Sequence, residues 1–531
     1  MDILTSLVRL FLHHRVRAIR RYAKEGDAIQ MKMLLRLVKA ARDTEWGKEH
    51  DYRSIRHYED FAARVPLGNY ASHKPYIERM MDGAPDILWK GVIRRYAVSS
   101  GTTSDAAKFI PVSQRNLRRS HMQGGHDVTA TYLDRNRNSH VARGYSLILS
   151  GSLDSGKDTG PSKVGDISAH MAGSIHPLSR KMLHILPPAE LSGIRDIHER
   201  YQALSELIAG KNLVSFSGVP TWNILLMGMA MQKAGARTAE ELWPHMEFFA
   251  HGGMSLRPYR KKLQEMFPSG KLRFIETYNA SEGFFGVQTD FRDPEMTLML
   301  DYENFYEFVP MTSYGRPDAK AVPVWGVEPG VEYALLVSTS SGLWRYDMGD
   351  VVRFTRTKPY QFVIVGRTHQ NINIAGEDLS VQQAEKALEK ACRQSGAAVR
   401  EFTVAPDFDY QERDGVKGRH EWLVEFEKEP ENPEEFEKLL DKAVQEEDFD
   451  YKHALINQEA SPLVVRKARA GLFYDWLDAK GKLGGQHKIP RLCPSRKYMD
   501  ELLAMNGSPA CVVIANANFN HIGCKMEVAD Y

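Results

Sequence analysis

Residues 99–108 read Ser99-Ser100-Gly101-Thr102-Thr103-Ser104-Asp105-Ala106-Ala107-Lys108, SSGTTSDAAK. Five hydroxyl side chains and one glycine fill six positions, and a lysine follows four residues after Ser104. The stretch lies between two strand-like runs, residues 95–98 and 109–112. A Gly/Ser/Thr turn between strands can aim backbone N–H groups and hydroxyls at an anion. A lysine at its far end adds a point charge suited to phosphate. The loop is not a Walker A sequence, which needs adjacent Gly-Lys. Taken alone it reads equally well as a polar hairpin turn.

Working outward, short apolar runs alternate with helical patterns. RRYAVSS, KFIPVS, YSLILS, NLVSFSG, RFIETY, YALLVS and FVIVG read as strands, each ending near Gly, Ser or Thr. This alternation predicts a large α/β domain with ligand loops at strand ends. Beyond FVIVGR the texture changes to a helix (VQQAEKALEKACRQ), two strands (REFTVAP, EWLVEFE) and a second helix. That helix opens with Asn432-Pro433-Glu434-Glu435, an N-cap followed by a first-turn proline. A smaller α+β domain is expected over residues 371–531, after a large domain over 1–370.

Two further stretches bear on the loop. In ETYNASEGFFG, Tyr278 stands four residues before Glu282, just after a strand. An aromatic ring can stack on a base, and a carboxylate can hold Mg²⁺. In GLWRYDMGDVV, Asp350 follows a glycine and can accept ribose hydroxyls. Each has a plainer reading by itself: a core tyrosine, a surface glutamate, a turn aspartate.

Together and in this order, the three stretches resemble the GH3 family of acyl acid amido synthetases, within the adenylate-forming, luciferase-like superfamily. The loop is similar to SSGTTxGxxK, residues 278–282 to YxxSE, and residues 342–352 to GL[YW]RYxxGDVV. FDYKHAL and GGQHKIPRL fit the same family, and a non-plant member is expected. The resemblance implies that Ser99, Ser100, Gly101, Thr102, Thr103 and Lys108 face the ATP phosphates. It implies that Tyr278 stacks on adenine, that Asn279, Ala280 and Ser281 line the nucleotide pocket, and that Glu282 holds Mg²⁺. Asp350, helped by Arg367, would bind ribose. Lys488 would bridge carboxylate and α-phosphate from a mobile C-terminal domain hinged near residues 367–373. Two positions depart from the pattern. Asp105 stands where the family often has glycine. His369 stands where many adenylate formers carry Asp in GRxD.

His251, in HGGMSL, borders the acyl site in one reading and a simple turn in another. Phe284 and Phe285 wall the acyl pocket in one reading and belong to the core in another. The remaining histidines are scattered and form no HExxH. The acidic stretch 425–450 is expected to be a solvated face.

Composition bounds these expectations. A chain of 531 residues exceeds one ordinary core. Lys+Arg 70 against Asp+Glu 68 gives +2, which offers no support for nucleic-acid binding. Four cysteines without CxxC spacing predict a reducing cytoplasm rather than a disulfide scaffold or zinc site. No run approaches the roughly 20 apolar residues that span a bilayer. MDILTSLVRLFLHHRVRAIRRYAKEG lacks a continuous apolar region and a cleavage site, so it does not read as a targeting signal. Its Ile3, Leu4, Leu7, Val8 and Phe11 recur at helical spacing. A packing helix with a solvated basic face (Arg15, Arg17, Arg20, Arg21, Lys24) is expected, contact with a membrane surface being the alternative. Residues 29–42 predict a second helix with Met31, Leu34, Leu35, Val38 and Ala41 inward.

The expectation is an ATP- and Mg²⁺-dependent ligase. It adenylates a small carboxylic acid and passes the acyl group to an amine, an amino acid in the first instance. The rivals are an acyl-CoA ligase with a thiol acceptor and a non-catalytic nucleotide-binding regulator. The acid, the amine and the oligomeric state stay open, a monomer included.

Overall fold

The computed structural model describes residues 2–99, 108–151, 153, 162–188, 191, 194, 196–368, 372–375, 377, 379–408, 410, 416–483 and 488–507. Ser100, Gly101, Thr102, Thr103, Asp105, His369, residues 484–487, Cys511 and Cys524 lie outside the described residues. All seven expected strands form, including Arg95–Ser99, Lys108–Pro111 and Arg273–Asn279.

Twelve strands make the main sheet among the described residues. Tyr145–Ile148, Leu213–Gly218, Phe248–Gly252 and Arg273–Asn279 run parallel in that order. Leu213–Gly218 and Phe248–Gly252 are almost wholly buried, as continuous apolar runs require when helices cover the sheet. The other half is antiparallel, running through Phe284–Val287, Met296–Leu298, Tyr360–Arg367, Tyr346–Thr357, Glu332–Thr339 and Asn304–Pro310. The two halves meet where Arg273–Asn279 turns back into Phe284–Val287. The Tyr278–Glu282 motif is that turn. A strand order that changes character leaves a crevice at the strand ends, where ligands bind in open α/β sheets.

Two expectations about the N-terminal segment need correction. The two predicted helices are one continuous helix, Ile3–Ala41. Gly26 does not break it, because an interior glycine costs only about 1 kcal/mol and packing along 39 residues outweighs that. The glycine marks close approach: a Cβ there would lie 3.0 Å from Leu300 Cδ1 and 3.1 Å from Tyr360 Cε2. Of the expected inward stripe near the start, Val8 packs against the core, but the rest faces solvent, with Ile3 77%, Leu4 47%, Leu7 58% and Phe11 76% exposed. The buried face there consists of Thr5, Leu12 and Val16. Polar anchors set this rotation: Arg15 pairs with Asp127 at 2.8 Å and with Asp301 at 2.7 Å. Farther along, Leu34, Val38 and Ala41 are buried as expected, joined by Met33 and Leu37.

The C-terminal region carries the expected helix Val381–Ser395 and the antiparallel strands Ala398–Asp407 and Arg419–Lys428. Val464–Lys467 adds a parallel third strand. Asn432 caps Pro433–Glu447 through the Glu434 and Glu435 amides, as its sequence requires. Glu425 is not solvated: it is buried on its strand, accepts from the Gly471 amide at 2.9 Å and faces Arg400 at 3.4 Å. One apolar cluster joins this region to the main sheet, packing Ala405, Leu423, Phe473 and Trp476 with Leu226, Phe249 and Leu263. Cys392 and Cys493 are free thiols.

Candidate functional site

The site is built on two chain reversals and the open end of a hairpin. The first is the strand pair that brackets the SSGTTSDAAK loop. Ser99 pairs with Lys108 across the ladder, so the loop leaves and re-enters at one point. The Tyr70 hydroxyl accepts from the Phe109 amide at 2.9 Å, and Lys108 Nζ lies 5.9 Å from the Tyr70 ring centre.

The second reversal is residues 279–284. The Ala280 amide donates to the Gly283 carbonyl at 2.9 Å, closing the turn. Asn116 Nδ2 holds the Glu282 carbonyl at 3.4 Å, and Ser120 Oγ accepts from the Phe284 amide at 2.9 Å. Glu282 is buried, and no cation pairs with its carboxylate among the described residues. Burial first, and the Asp350 charge second, push this carboxyl up to about 7.

The third part is the hairpin of Tyr346–Thr357 and Tyr360–Arg367, whose turn lies at Thr357 and Tyr360 and whose open end carries the site residues. Their register places Asp350 opposite Arg367. Arg367 Nε donates to Asp350 Oδ1 at 2.8 Å, and the Tyr278 hydroxyl donates to Asp350 Oδ2. One carboxylate is thus oriented by two donors from different strands. Gly349 precedes it with φ +72°, a left-handed turn that glycine adopts freely, and its amide donates to Asp347 at 2.8 Å.

Lys488 comes from the C-terminal region and donates to the Gly253 carbonyl. Burial, with the Arg367 charge next, lowers its ammonium to about 8. Gly253 has φ +83°, and a Cβ there would sit 2.8 Å from Lys488 Nζ. The glycine of HGGMSL therefore makes room for the lysine. His251 is buried near the end of its strand, its imidazole pushed down to about 3 by burial, and its Nδ1 has no partner among the described residues.

The structure thus brings Tyr278, Asp350 and Arg367 into direct contact, with Glu282, Lys108 and Lys488 near enough for their charges to interact and Ser99 paired to Lys108. Phe284 and Phe285 lie in the core instead. Phe284 packs over Gly124, whose Cβ position is 2.2 Å from its ring, and Phe285 sits edge-on to Tyr278 at 5.1 Å. Asn279 points to His121, Oδ1 to Nδ1 at 2.8 Å. His121 escaped the sequence reading. It ends a π-turn, Leu117–His121, a local bulge that often accompanies a site. Burial holds its imidazole down to about 4, and Nε2 has no partner among the described residues. LRRSH carries no motif that announces this. Among the described residues no group of His, Cys, Asp or Glu forms a multi-ligand metal cluster.

These features have counterparts in known proteins. The chain is 23% identical to indole-3-acetic acid-amido synthetase GH3.4 of Arabidopsis thaliana, covering 91% of this chain and 92% of that one. It is 24% identical to jasmonoyl–L-amino acid synthetase GH3.5 of Oryza sativa subsp. japonica, covering 91% and 95%. In fold it is similar to AtGH3.15 acyl acid amido synthetase in complex with 2,4-DB: TM-score 0.76, 18% identity, 92% of this chain and 95% of that one. It is also similar to 2-hydroxyisobutyryl-CoA ligase in the postadenylation state, with TM-score 0.56 and 13% identity over 92% and 93%. These relatives do not bear out a non-plant member. The GH3 family N-terminal domain matches residues 15–217, the central domain residues 297–367 and the C-terminal domain residues 382–497. The chain belongs to the GH3 family.

Proposed function

We propose that the protein is an ATP-dependent acyl acid amido synthetase. It adenylates a carboxylic acid and then passes the acyl group to an amine, in the first instance an amino acid. One observation carries this reading: Asp350, Glu282 and Lys488, from three distant parts of the chain, converge beside the ends of the SSGTTSDAAK loop. A carboxylate is anionic and lacks a good leaving group, and transfer to AMP corrects both faults.

Asp350, fixed by Arg367 and Tyr278, accepts the ribose hydroxyls. The Tyr278 ring lies toward adenine, with Asn279, Ala280 and Ser281 beside it. Ser99, Ser100, Gly101, Thr102, Thr103 and Lys108 meet the phosphates. Glu282 is assigned to Mg²⁺, and the fit rests on its chemistry: a buried carboxylate with no paired cation gains one when a divalent ion binds. The ion supplies charge neutralisation at the phosphates. Lys488 brings a positive charge to the acid's carboxylate and the α-phosphate, where preorganised donors act most strongly in a dry site. His251 borders the acyl side. The boundary near 370/371 separates a large domain from a smaller cap, 371–531, that carries Lys488. A cytoplasmic setting follows from the cysteine pattern.

Acid-dependent exchange of labelled pyrophosphate into ATP, across a panel of carboxylic acids, tests the first step. Amine-dependent release of AMP tests the second. Exchange without amine-dependent release, but with release on adding CoA, assigns the protein to thiol ligation. Silence across the panel assigns it to nucleotide binding without turnover.

A further inference from the structure

The start of the long helix is anomalous for a folded surface. Ile3, Leu4, Leu7, Leu10 and Phe11 are 77, 47, 58, 72 and 76% exposed. At 100° per residue Ile3, Leu7, Leu10 and Phe11 form one stripe, separate from the buried Thr5, Leu12 and Val16. Contiguous exposed apolar surface of this kind marks an interaction site.

Charge identifies the partner. Residues 3–24 contain Arg9, Arg15, Arg17, Arg20, Arg21 and Lys24, with His13 and His14, and no Asp or Glu. Arg15 and Arg20 are spent on Asp127, Asp301 and Asp134, and Arg21 on Glu25. Arg17 and Lys24 are exposed and have no carboxylate partner among the described residues. The solvent stripe therefore passes from apolar to basic along the helix.

A second group reaches the same end of the molecule. The Ala142 amide donates to Thr5 at 3.3 Å and Arg143 Nε to Asp2 at 2.9 Å, tying the helix start to the entry of Tyr145–Ile148. His184 lies 5.0 Å from the Tyr145 ring, and the Ser146 amide donates to its carbonyl at 3.0 Å. Just before it, Met182 is 69% and Leu183 56% exposed, beside exposed Lys181.

We propose that this end of the protein docks on an anionic lipid surface, with Ile3, Leu7, Leu10, Phe11, Met182 and Leu183 entering the headgroup boundary. Arg17 and Lys24 contact the lipid phosphates and carboxylates. A helix lying in the interface needs this pairing of an apolar stripe with a basic face. No helix among the described residues is long and apolar enough to cross a membrane, so the contact is peripheral.

Flotation of the full chain with phosphatidylcholine vesicles, with or without about 30% phosphatidylserine, tests the inference. The protein is expected to float with the anionic vesicles, to be released by added salt, and to stay behind with the neutral ones. Leu7→Glu with Phe11→Glu is expected to weaken binding about tenfold or more. Arg17→Glu with Lys24→Glu, which leaves the stripe intact, is expected to remove the salt-sensitive part. Pyrophosphate exchange and melting temperature should not change in either variant, since all four side chains are exposed. Wild-type protein that stays with the lipid-free fraction overturns the proposal, as does undiminished flotation of the first variant. A dimer in sedimentation equilibrium that Leu7→Glu with Phe11→Glu dissolves assigns the face to a second copy instead.

Discussion

At the residue scale, the roles proposed for Glu282 and Lys488 predict a pH dependence. Glu282 holds its proton more tightly in the fold than in the unfolded chain, with a value of about 7. Its contribution favours the folded state below the ordinary carboxyl range and is lost as pH rises through about 7. Glu282→Gln is therefore expected to raise the melting temperature of the ligand-free protein at pH 8, by up to about 3 kcal/mol of stability. The same change should lower pyrophosphate exchange by roughly 10²–10³. A variant that melts lower at pH 8, or exchanges as wild type does, contradicts this assignment. The second-order rate of adenylation should rise as Glu282 ionises near 7 and fall as Lys488 loses its proton near 8. Lys488→Arg keeps a charge that does not titrate in this range, so the alkaline limb should vanish even where the rate drops. An unchanged alkaline limb removes Lys488 from the step. Most of this site was legible because each residue lies in a short motif whose chemistry is local. His121 and Asn116 were not, because they act by holding the turn at 279–282 from a distant helix. A histidine within LRRSH looks like any other until the fold carries it there.

At the element scale, strands were easier to read than helices. Runs such as NLVSFSG and RFIETY are apolar and bounded by turn residues, and a sheet covered by helices leaves them few alternatives. The sequence predicts two helices where the fold has one, and Gly26, between the two patterns, sits inside that helix against Leu300 and Tyr360. The first turns of this helix also depart from the expectation. Helical spacing reveals an apolar stripe but not whether anything covers it. Gly253 belongs to this scale too, since it couples the Phe248–Gly252 strand end to Lys488. Gly253→Ala adds a Cβ at 2.8 Å from Lys488 Nζ on a backbone with φ +83°. The displaced lysine should cost adenylation about 10²-fold, while transfer from supplied acyl-AMP to an amine falls much less. Equal losses in both half-reactions would mean that the glycine serves the fold and not the lysine.

At the scale of the whole molecule, the question is what holds the C-terminal region where Lys488 reaches Gly253. Arg491, three residues beyond Lys488, is buried between the two parts. Its guanidinium donates to the Tyr259 hydroxyl at 2.6 Å and to the Phe402 carbonyl at 3.1 Å, pairs with Glu401, and lies 4.5 Å from the Phe402 ring. Tyr259 stands on the main-sheet side, in the turn Arg257–Tyr259, while Glu401 and Phe402 lie on Ala398–Asp407. The tyrosine hydroxyl also donates to Glu401 at 3.3 Å, so one oxygen joins both partners of the ion pair to the larger part. Removing Arg491 would strand Glu401 in the interior and confuse docking with unfolding, at about 3–5 kcal/mol. Tyr259→Phe deletes the bridge and leaves the Arg491–Glu401 pair in place, at about 0.5–1.5 kcal/mol. That variant should fold, show a larger radius of gyration in small-angle scattering without ligand, and adenylate several-fold more slowly. Amine transfer from supplied acyl-AMP, a step in which the proposed function gives Lys488 no part, should be unchanged or faster. Scattering identical to wild type together with slowed transfer would place the hold elsewhere, in the apolar contact of Phe473 and Trp476 with the main sheet.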